Sequence, residues 1–400
     1  MPASDRPRNL ASAKALTFAA HAAFVPIGVV TVLLAPLLPT LSARWSLNYS
    51  QAGALFTAQY IASTIATALS GVLVTRWGFR FAMKAGLLVI AASVALLLAG
   101  SQMLGIICIA GYGAGLGLSV PAANLLVAEV NPHRRSAALN MLNFSWSAGA
   151  VACPFLVAAA AKRHQVQPLL EILAGFLLLV AIGIAAMPSR IVEPVASKVA
   201  GGKSPAVHWM QPSLVILAVL FFLYVGTENA FGGWLASYSK SLGTLSPTMA
   251  LMTPSFFYSA LMLGRWVAPL TLRTMDEVRL VQVGLLLSCA GMLGLEGSHS
   301  LLTVAVSASA AGLGLSGVYP ITIALLSREF GPAASRVGSI MFFVANLGGG
   351  CLPWMVGISS NQFGTLKAGL AVPLIGSVAM YVLYLRDWKP DSAEQTQPTA

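Results

Sequence analysis

Charged residues are scarce in this 400-residue chain. Asp, Glu, Lys and Arg make up 9% of the residues and hydrophobic residues 57%, whereas a typical soluble domain is about one quarter charged. The mean hydropathy is +0.80. This composition excludes a water-soluble enzyme and leaves no room for a soluble domain of normal size.

Residues that build metal sites and catalytic centres are also few. The four cysteines, Cys108, Cys153, Cys289 and Cys351, lie far apart in apolar runs without C-x-x-C spacing, so neither a metal site nor a disulfide framework is predicted. The GGKS at 201–204 lacks the earlier glycine of a phosphate loop, because that position is Ser197. We therefore predict that the chain is not an enzyme and needs no cofactor or metal.

Long apolar runs dominate the chain. They predict an all-α polytopic membrane protein with 12 transmembrane helices in two pseudo-symmetric six-helix bundles, surrounded by the lipid bilayer. The predicted spans are 15–41, 51–75, 81–100, 103–129, 136–160, 168–187, 213–238, 248–272, 278–297, 301–327, 334–359 and 367–385.

The basic residues are unevenly distributed between the two sides of these spans. The net charge is +11, and with a cytoplasmic N-terminus the outer segments hold Arg44, Lys162, Arg163, Lys240 and Lys367, while all other basic residues lie inside. The positive-inside rule predicts a multi-pass protein of the plasma (inner) membrane with both termini in the cytoplasm. The basic surplus therefore requires no nucleic acid as a partner.

The halves of the chain repeat each other. A polar stretch at 188–212 predicts a cytoplasmic linker between bundles at 1–187 and 213–386, followed by a cytoplasmic tail at 387–400. AGLGLS occurs at 114–119 and again at 311–316, which makes Gly115 and Gly312 predicted counterparts. Glycine and proline matches continue at an offset of 199 with Pro121 and Pro320, Gly149 and Gly348, and Pro154 and Pro353. We expect this chain to act as a monomer.

The loop after the second span carries a family signature. Residues 71–80 read GVLVTRWGFR, which resembles the major facilitator superfamily signature G-x-L-a-D-R-x-G-R-R at Gly71, Leu73, Arg76, Gly78 and Arg80. The family's acid is replaced by Thr75. The resemblance implies a secondary transporter in which Gly71, Arg76, Gly78 and Arg80 form a gating loop. The alternative is that Arg76 and Arg80 only fix the orientation of the chain in the membrane and take no part in gating.

The seventh span is similar to one branch of that superfamily. Its sequence YVGTENAFGGWLASY at 224–238, with GVYP in the tenth span, resembles fucose-permease-like sugar and proton symporters. The drug antiporter motif G-x-x-x-G-P-x-x-G-G is not matched by GAVACPFLV at 149–157. The resemblance implies proton-coupled transport of a small neutral, sugar-like solute by alternating access. A multidrug or metabolite/proton antiporter working in efflux is the alternative, and a receptor that binds without transport is another.

One acidic residue, Glu228, lies deep inside a predicted span. A carboxylate at this depth costs free energy unless it is protonated, paired with a base or exposed to a water-filled cavity. Acidic residues inside a span are therefore functional candidates by default. With no lysine or arginine expected at comparable depth, proton exchange on Glu228 is favoured over a permanent ion pair. Arg265, toward the inner half of the eighth span, is the residue that could reach inward. A neutral structural glutamate and sodium coupling are the open alternatives.

Amide, hydroxyl and aromatic side chains recur at depth in the spans expected to line a central path. Such groups suit polyhydroxylated solutes, because they offer neutral hydrogen bonds and apolar platforms for C–H faces. The predicted substrate-binding residues are Gln59, Tyr60, Asn124, Asn143, Trp146, Tyr224, Asn229, Trp234, Tyr258, Tyr319 and Asn346. Because no buried base is expected to compensate an anion, we predict a preference for neutral solutes.

Overall fold

The computed structural model describes residues 6–131, 134–187 and 211–386, and in this part the chain forms fourteen α-helices and no strand. The predicted tail at 387–400 and residues 188–210 of the predicted linker lie outside the described residues. The helices are α1 (Arg6–Val32), α2 (Leu34–Arg44), α3 (Tyr49–Trp77), α4 (Phe79–Leu96), α5 (Gln102–Val130), α6 (Arg135–Lys162), α7 (Val166–Ala185), α8 (Pro212–Ser241), α9 (Pro247–Thr271), α10 (Glu277–Glu296), α11 (Leu301–Leu315), α12 (Val318–Phe330), α13 (Ala334–Phe363) and α14 (Leu366–Leu383).

The predicted all-α membrane architecture is confirmed. Within the described residues, eleven helical stretches are long and apolar enough to cross a membrane. Helix α9, with 25 residues, supplies the twelfth span and is less apolar because it carries Arg265 and several hydroxyl side chains. In a bilayer every backbone polar group must be satisfied within the segment, so apolar runs of this length form helices.

Two of the twelve spans are broken, although each was predicted as one helix. The first span breaks at Leu33 into α1 and α2, and the tenth breaks at Ser316 and Gly317 into α11 and α12. In both, a proline lies just beyond the break, at Pro36 and at Pro320. Proline has no N–H to bond the carbonyl four residues earlier, so the helical ladder is interrupted there.

Glycines allow the helices of each half to pack with their backbones in close contact. Gly115 of α5 lies against the carbonyl of Gly86 on α4, and a Cβ at Gly115 would come within 2.7 Å of that oxygen. Gly314 of α11 lies in the same way against the carbonyl of Gly284 on α10. The structural counterpart of Gly115 is therefore Gly314, at an offset of 199.

The predicted pairing of Gly115 with Gly312 is consequently wrong. Gly312 packs against the backbone of Phe257 on α9, and the matching contact in the first half is that of Gly113 with Gln59 on α3. Glycine recurs at every second position in this region, so a shift of two residues still aligns glycine with glycine. The offset of 199 agrees with the proline pairs and describes the symmetry of the fold.

We expect Gly115→Leu and Gly314→Leu to destabilise the protein rather than to block its conformational cycle. Each contact lies within its own half, and a leucine side chain there would have to displace the backbone of the neighbouring helix. Overpacking of this kind lowers the free energy of unfolding by about 1–3 kcal/mol or more. The measurement is the thermal unfolding temperature in detergent. Gly175→Leu on α7 is the control, because nothing lies within 4 Å of a Cβ at that position. Unchanged unfolding temperatures in both variants would contradict the prediction.

The two halves meet on one side of the molecule. Twelve spans bring the start of α1 and the end of α14 to the same face, which we call the terminal face, and the opposite face is the distal face. Contacts between the halves pair α3 with α13, α6 with α9 and α2 with α8. In the distal half of α3, Thr57 donates a 2.9 Å hydrogen bond to the carbonyl of Gly350.

A second contact between the halves lies in the distal parts of α6 and α9. Ser255 donates a 2.9 Å hydrogen bond to the carbonyl of Val151, and the rings of Phe155 and Phe256 meet edge to face at 6.4 Å. These contacts close the space between the halves toward the distal face. Arg265, nearer the terminal face, keeps a side-chain exposure of 29%. The described structure is therefore open toward the terminal face.

Candidate functional site

An ion pair lies at the centre of the C-terminal half. One guanidinium nitrogen of Arg265 on α9 lies 3.7 Å from a carboxylate oxygen of Glu228 on α8, with side-chain exposures of 29% and 12%. The expectation that no basic residue reaches the depth of Glu228 is therefore wrong. Helical side chains lean toward the N-terminus of their helix, and α8 and α9 run in opposite directions, so these two lean toward each other.

Two tyrosine rings flank this pair. The Arg265 guanidinium donates a 2.9 Å hydrogen bond to the hydroxyl of Tyr224, which lies one helical turn before Glu228. The Tyr224 ring lies 5.4 Å from the ring of Tyr319 on α12, with an angle of 32° between the planes. Tyr224 is buried and Tyr319 is half-buried, so the Tyr319 ring presents an apolar surface beside the charged pair.

The N-terminal half contributes to the same site. The hydroxyl of Tyr60 on α3 donates a 2.6 Å hydrogen bond to the side-chain oxygen of Asn229, which follows Glu228 on α8. Tyr258 on α9, another predicted site residue, is buried at 4% exposure. We define the central cluster as Tyr60, Tyr224, Glu228, Asn229, Arg265 and Tyr319. It is built from both halves of the chain.

Further predicted site residues form a hydrogen-bonded network inside the N-terminal half. The indole of Trp146 donates to the hydroxyl of Thr31 at 3.2 Å, and the amide of Gln59 donates to the carbonyl of Thr31 at 3.3 Å. Tyr112, which was not predicted, donates to the side-chain oxygen of Gln59 at 3.2 Å. This network joins α1, α3, α5 and α6, and it holds Trp146 and Gln59 in place.

The structure does not bring all predicted substrate-binding residues into the central cluster. Trp234 is 1% exposed, and its indole donates to the carbonyl of Pro353 at 2.9 Å, which fixes α8 against α13. Asn124 and Asn143 donate their amides to carbonyls of their own helices. Asn346 lines a separate groove between α3 and α13. Hydropathy locates polar residues within a span, but it does not give the direction in which each one points.

The predicted gating loop is anchored to its own half in this structure. Arg80 donates to the carbonyls of Ile184 and Met187, at 3.0 and 2.8 Å, and so caps the end of α7. Gly78 joins α3 to α4 with a φ of 85°, which favours glycine. The guanidinium of Arg76 lies 5.1 Å from the ring centre of Trp77. A Cβ at Gly71 would meet nothing within 4 Å.

Comparison with known proteins gives relatives across most of the chain. A glucose/galactose transporter of Brucella abortus is 25% identical over 376 residues, covering 87% of this chain and 88% of that protein. A sodium-dependent glucose transporter 1A of Mus musculus is 21% identical over 405 residues, covering 91% and 94%. Both relatives are named as transporters.

Solved structures share the fold at low sequence identity. A D-xylose–proton symporter has a TM-score of 0.74 at 17% identity, covering 92% of this chain and 96% of that one. A nucleoside transporter reaches the same TM-score at 13% identity, covering 94% and 98%. The E. coli fucose:proton symporter has a TM-score of 0.62 at 17% identity, covering 92% and 97%. These likenesses show the fold and do not distinguish between substrates.

A family model confirms the resemblance that the loop after the second span indicated. The model described as Major Facilitator Superfamily matches residues 20–295, which include the central cluster residues Tyr60, Tyr224, Glu228, Asn229 and Arg265. Together with the twelve spans and the two related halves, this match identifies the chain as a member of the major facilitator superfamily of membrane transporters.

Proposed function

We propose that this transporter moves a small neutral, polyhydroxylated solute of the sugar class by alternating access at the central cluster. The observation that carries the proposal is the Glu228–Arg265 pair beside the half-buried Tyr319 ring, with Tyr60 and Asn229 adding neutral hydrogen-bonding groups. The pair has no net charge, so a neutral solute needs no counter-ion there. The glucose transporters among the relatives support the same substrate class.

The chemistry of the cluster matches that of a sugar. A sugar hydroxyl both donates and accepts, so it can donate to the Glu228 carboxylate while a neighbouring hydroxyl accepts from the Arg265 guanidinium. The C–H face of a pyranose ring is apolar and suits the Tyr319 ring. Ligand pockets commonly combine apolar aromatic walls with a few placed polar groups.

The charge distribution supports one orientation in the membrane. Because the basic residues are concentrated at the terminal face, we place this face in the cytoplasm, in the plasma (inner) membrane. The described structure is then inward-facing, with the distal contacts closing the external side. We propose that the monomer, which holds both halves of the central cluster, is the working unit.

Glu228 is the proposed coupling residue. In the inward-facing structure its carboxylate lies 3.7 Å from the Arg265 guanidinium. We propose that Glu228 carries a proton when the site faces outward and releases it inward as the Arg265 pair forms. Coupling then follows from different interactions of the same carboxylate in the two states, as any ligand-driven shift requires.

A ligand screen tests the proposed solute class. Ligands that bind the folded protein raise its unfolding temperature by mass action. The purified protein is heated with D-glucose, D-galactose, D-xylose, L-fucose, uridine and a cationic drug, and each ligand that raises the unfolding temperature is then tested by counterflow in proteoliposomes. We expect stabilisation and counterflow with one or more sugars. A response to uridine alone or to the cationic drug alone would overturn the sugar proposal.

The net-neutral pair also predicts selectivity against anions. We expect gluconate and glucose 6-phosphate to bind at least about tenfold more weakly than glucose, which corresponds to about 1.4 kcal/mol. The physical reason differs from the one the sequence suggested: a base is present, but Glu228 already balances its charge. Competition of each compound with glucose counterflow measures the difference. A preference for an organic anion that disappears in Arg265→Ala would contradict this prediction.

A further inference from the structure

A second groove lies between the two halves and shares only Tyr60 with the central cluster. It lies between α3 and α13 with α8 as its floor, has a volume of about 280 Å³, and we call it the lateral groove. Phe222 lies at its floor, and its walls are formed by Thr57, Tyr60, Ile61, Asn346, Leu347, Gly350, Cys351 and Trp354. The polar side chains among them are those of Thr57, Tyr60 and Asn346, and the exposed surface of the lining is almost entirely apolar.

The lateral groove opens toward the lipid. Ile61, Leu347 and Trp354 are 49%, 41% and 40% exposed. Ile61 continues a stripe of exposed apolar residues along α3 that includes Ile65 and Leu69, at 67% and 49%. Ile61 lies near the middle of α3, which has 29 residues, and Cys351 lies near the middle of α13, which has 30 residues. The groove is therefore at the depth of the hydrocarbon core.

We propose that the lateral groove binds the hydrocarbon chain of a bilayer lipid. At this depth hydrocarbon is the surrounding solvent, and an empty groove would lose dispersion contacts along its whole lining. An apolar cavity of about 150 Å³ already stays dry and accepts benzene. The lateral groove is larger and open, and the hydroxyl of Tyr60 is already bonded to Asn229.

Occupancy of the groove is coupled to the conformation of the transporter. Helices α3 and α13 belong to different halves, and Thr57 bonds to Gly350 beside the groove. A chain that packs against both helices stabilises the closed distal side and must rearrange when the halves separate there. A lipid chain is thus a ligand of the state in which the site is open to the terminal face. This inference depends on packing and does not rest on the identity of the solute.

Photocrosslinking tests the proposal on the unaltered protein. It is reconstituted with phosphatidylcholine that carries a diazirine in the middle of one acyl chain, irradiated, digested and mapped by mass spectrometry. We expect adducts on Phe222, the half-buried floor of the groove, as well as on the lipid-facing Phe176 of α7, which is 47% exposed. Labelling of Phe176 without labelling of Phe222 would overturn the proposal.

Two variants and a thiol reagent complete the test. Cys351→Phe fills the groove, so we expect the adduct on Phe222 to be lost while that on Phe176 remains. Cys289→Phe is the matched control, because Cys289 is half-exposed on α10 away from the groove, and both adducts should remain. Rapid reaction of Cys351 with a charged methanethiosulfonate, compared with Cys289, would show that water fills the groove and would overturn the proposal.

Discussion

Glu228→Gln is expected to abolish solute accumulation driven by an imposed pH gradient, while downhill counterflow continues. The amide cannot take up the coupling proton, but it keeps the shape and one hydrogen-bonding oxygen of the acid. The variant should also unfold at a lower temperature, because it leaves the Arg265 guanidinium bonded to the Tyr224 hydroxyl but without its negatively charged partner. Breaking a fully buried pair costs about 3–5 kcal/mol, and the partial exposure of Arg265 reduces this cost.

The double variant Glu228→Gln/Arg265→Gln separates coupling from stability. It removes both charges together, so we expect the unfolding temperature to recover toward that of the parent while pH-driven accumulation stays absent. If the unfolding temperature recovers while pH-driven accumulation stays absent, Glu228 is a coupling residue. If the pair were purely structural, the double variant would recover both the unfolding temperature and the accumulation. Proteoliposome uptake with a pH gradient, beside counterflow without one, supplies the transport measurements.

Other results would assign Glu228 differently. If Glu228→Gln lowers solute affinity at every pH but keeps gradient-driven accumulation, the carboxylate binds the solute and does not couple. If accumulation remains at the parental level with unchanged affinity, Glu228 takes no part in the mechanism. Dependence of accumulation on a sodium gradient, at constant pH, would replace the proton by sodium at this site.

Gly357→Leu is expected to stop transport by preventing closure of the distal side. Gly357 on α13 packs against the backbone of Tyr49 at the start of α3, and a side chain there would displace backbone of the opposite half. Gly53 makes the reciprocal contact, since a Cβ there would lie 2.9 Å from the Cα of Trp354. Because these contacts lie between the halves, each half should still fold, and the transporter should remain open to the distal face.

Distances between pairs of spin labels, measured by electron paramagnetic resonance, test whether the distal side stays open. Spin labels at Ser101→Cys and His299→Cys, in a background without the native cysteines, report the separation of two exposed distal loops in opposite halves. We expect a longer distance and no counterflow in Gly357→Leu. Gly183→Leu on α7 is the control and should match the parent, because nothing lies within 4 Å of a Cβ there. Parental distances and counterflow in Gly357→Leu would contradict the prediction.

Sequence comparison of the two halves detects the internal repeat but does not fix its register. The proline pairs gave an offset of 199, while the identical string AGLGLS gave 197. The packing of Gly115 on Gly86 and of Gly314 on Gly284 decides in favour of 199. Identical letters in a glycine-rich segment align in more than one way, but a backbone contact permits a single register.

The sequence by itself determined the membrane class, the twelve spans, the related halves and the presence of one deep carboxylate, because hydrophobicity and helix length are local properties of the chain. The partners of that carboxylate were decided by the tertiary structure. The Glu228–Arg265 pair depends on side chains leaning toward each other from antiparallel helices, and the bond between Tyr60 and Asn229 joins positions 169 residues apart. Such contacts arise from the packing of whole bundles, and the pattern within any single span does not specify them.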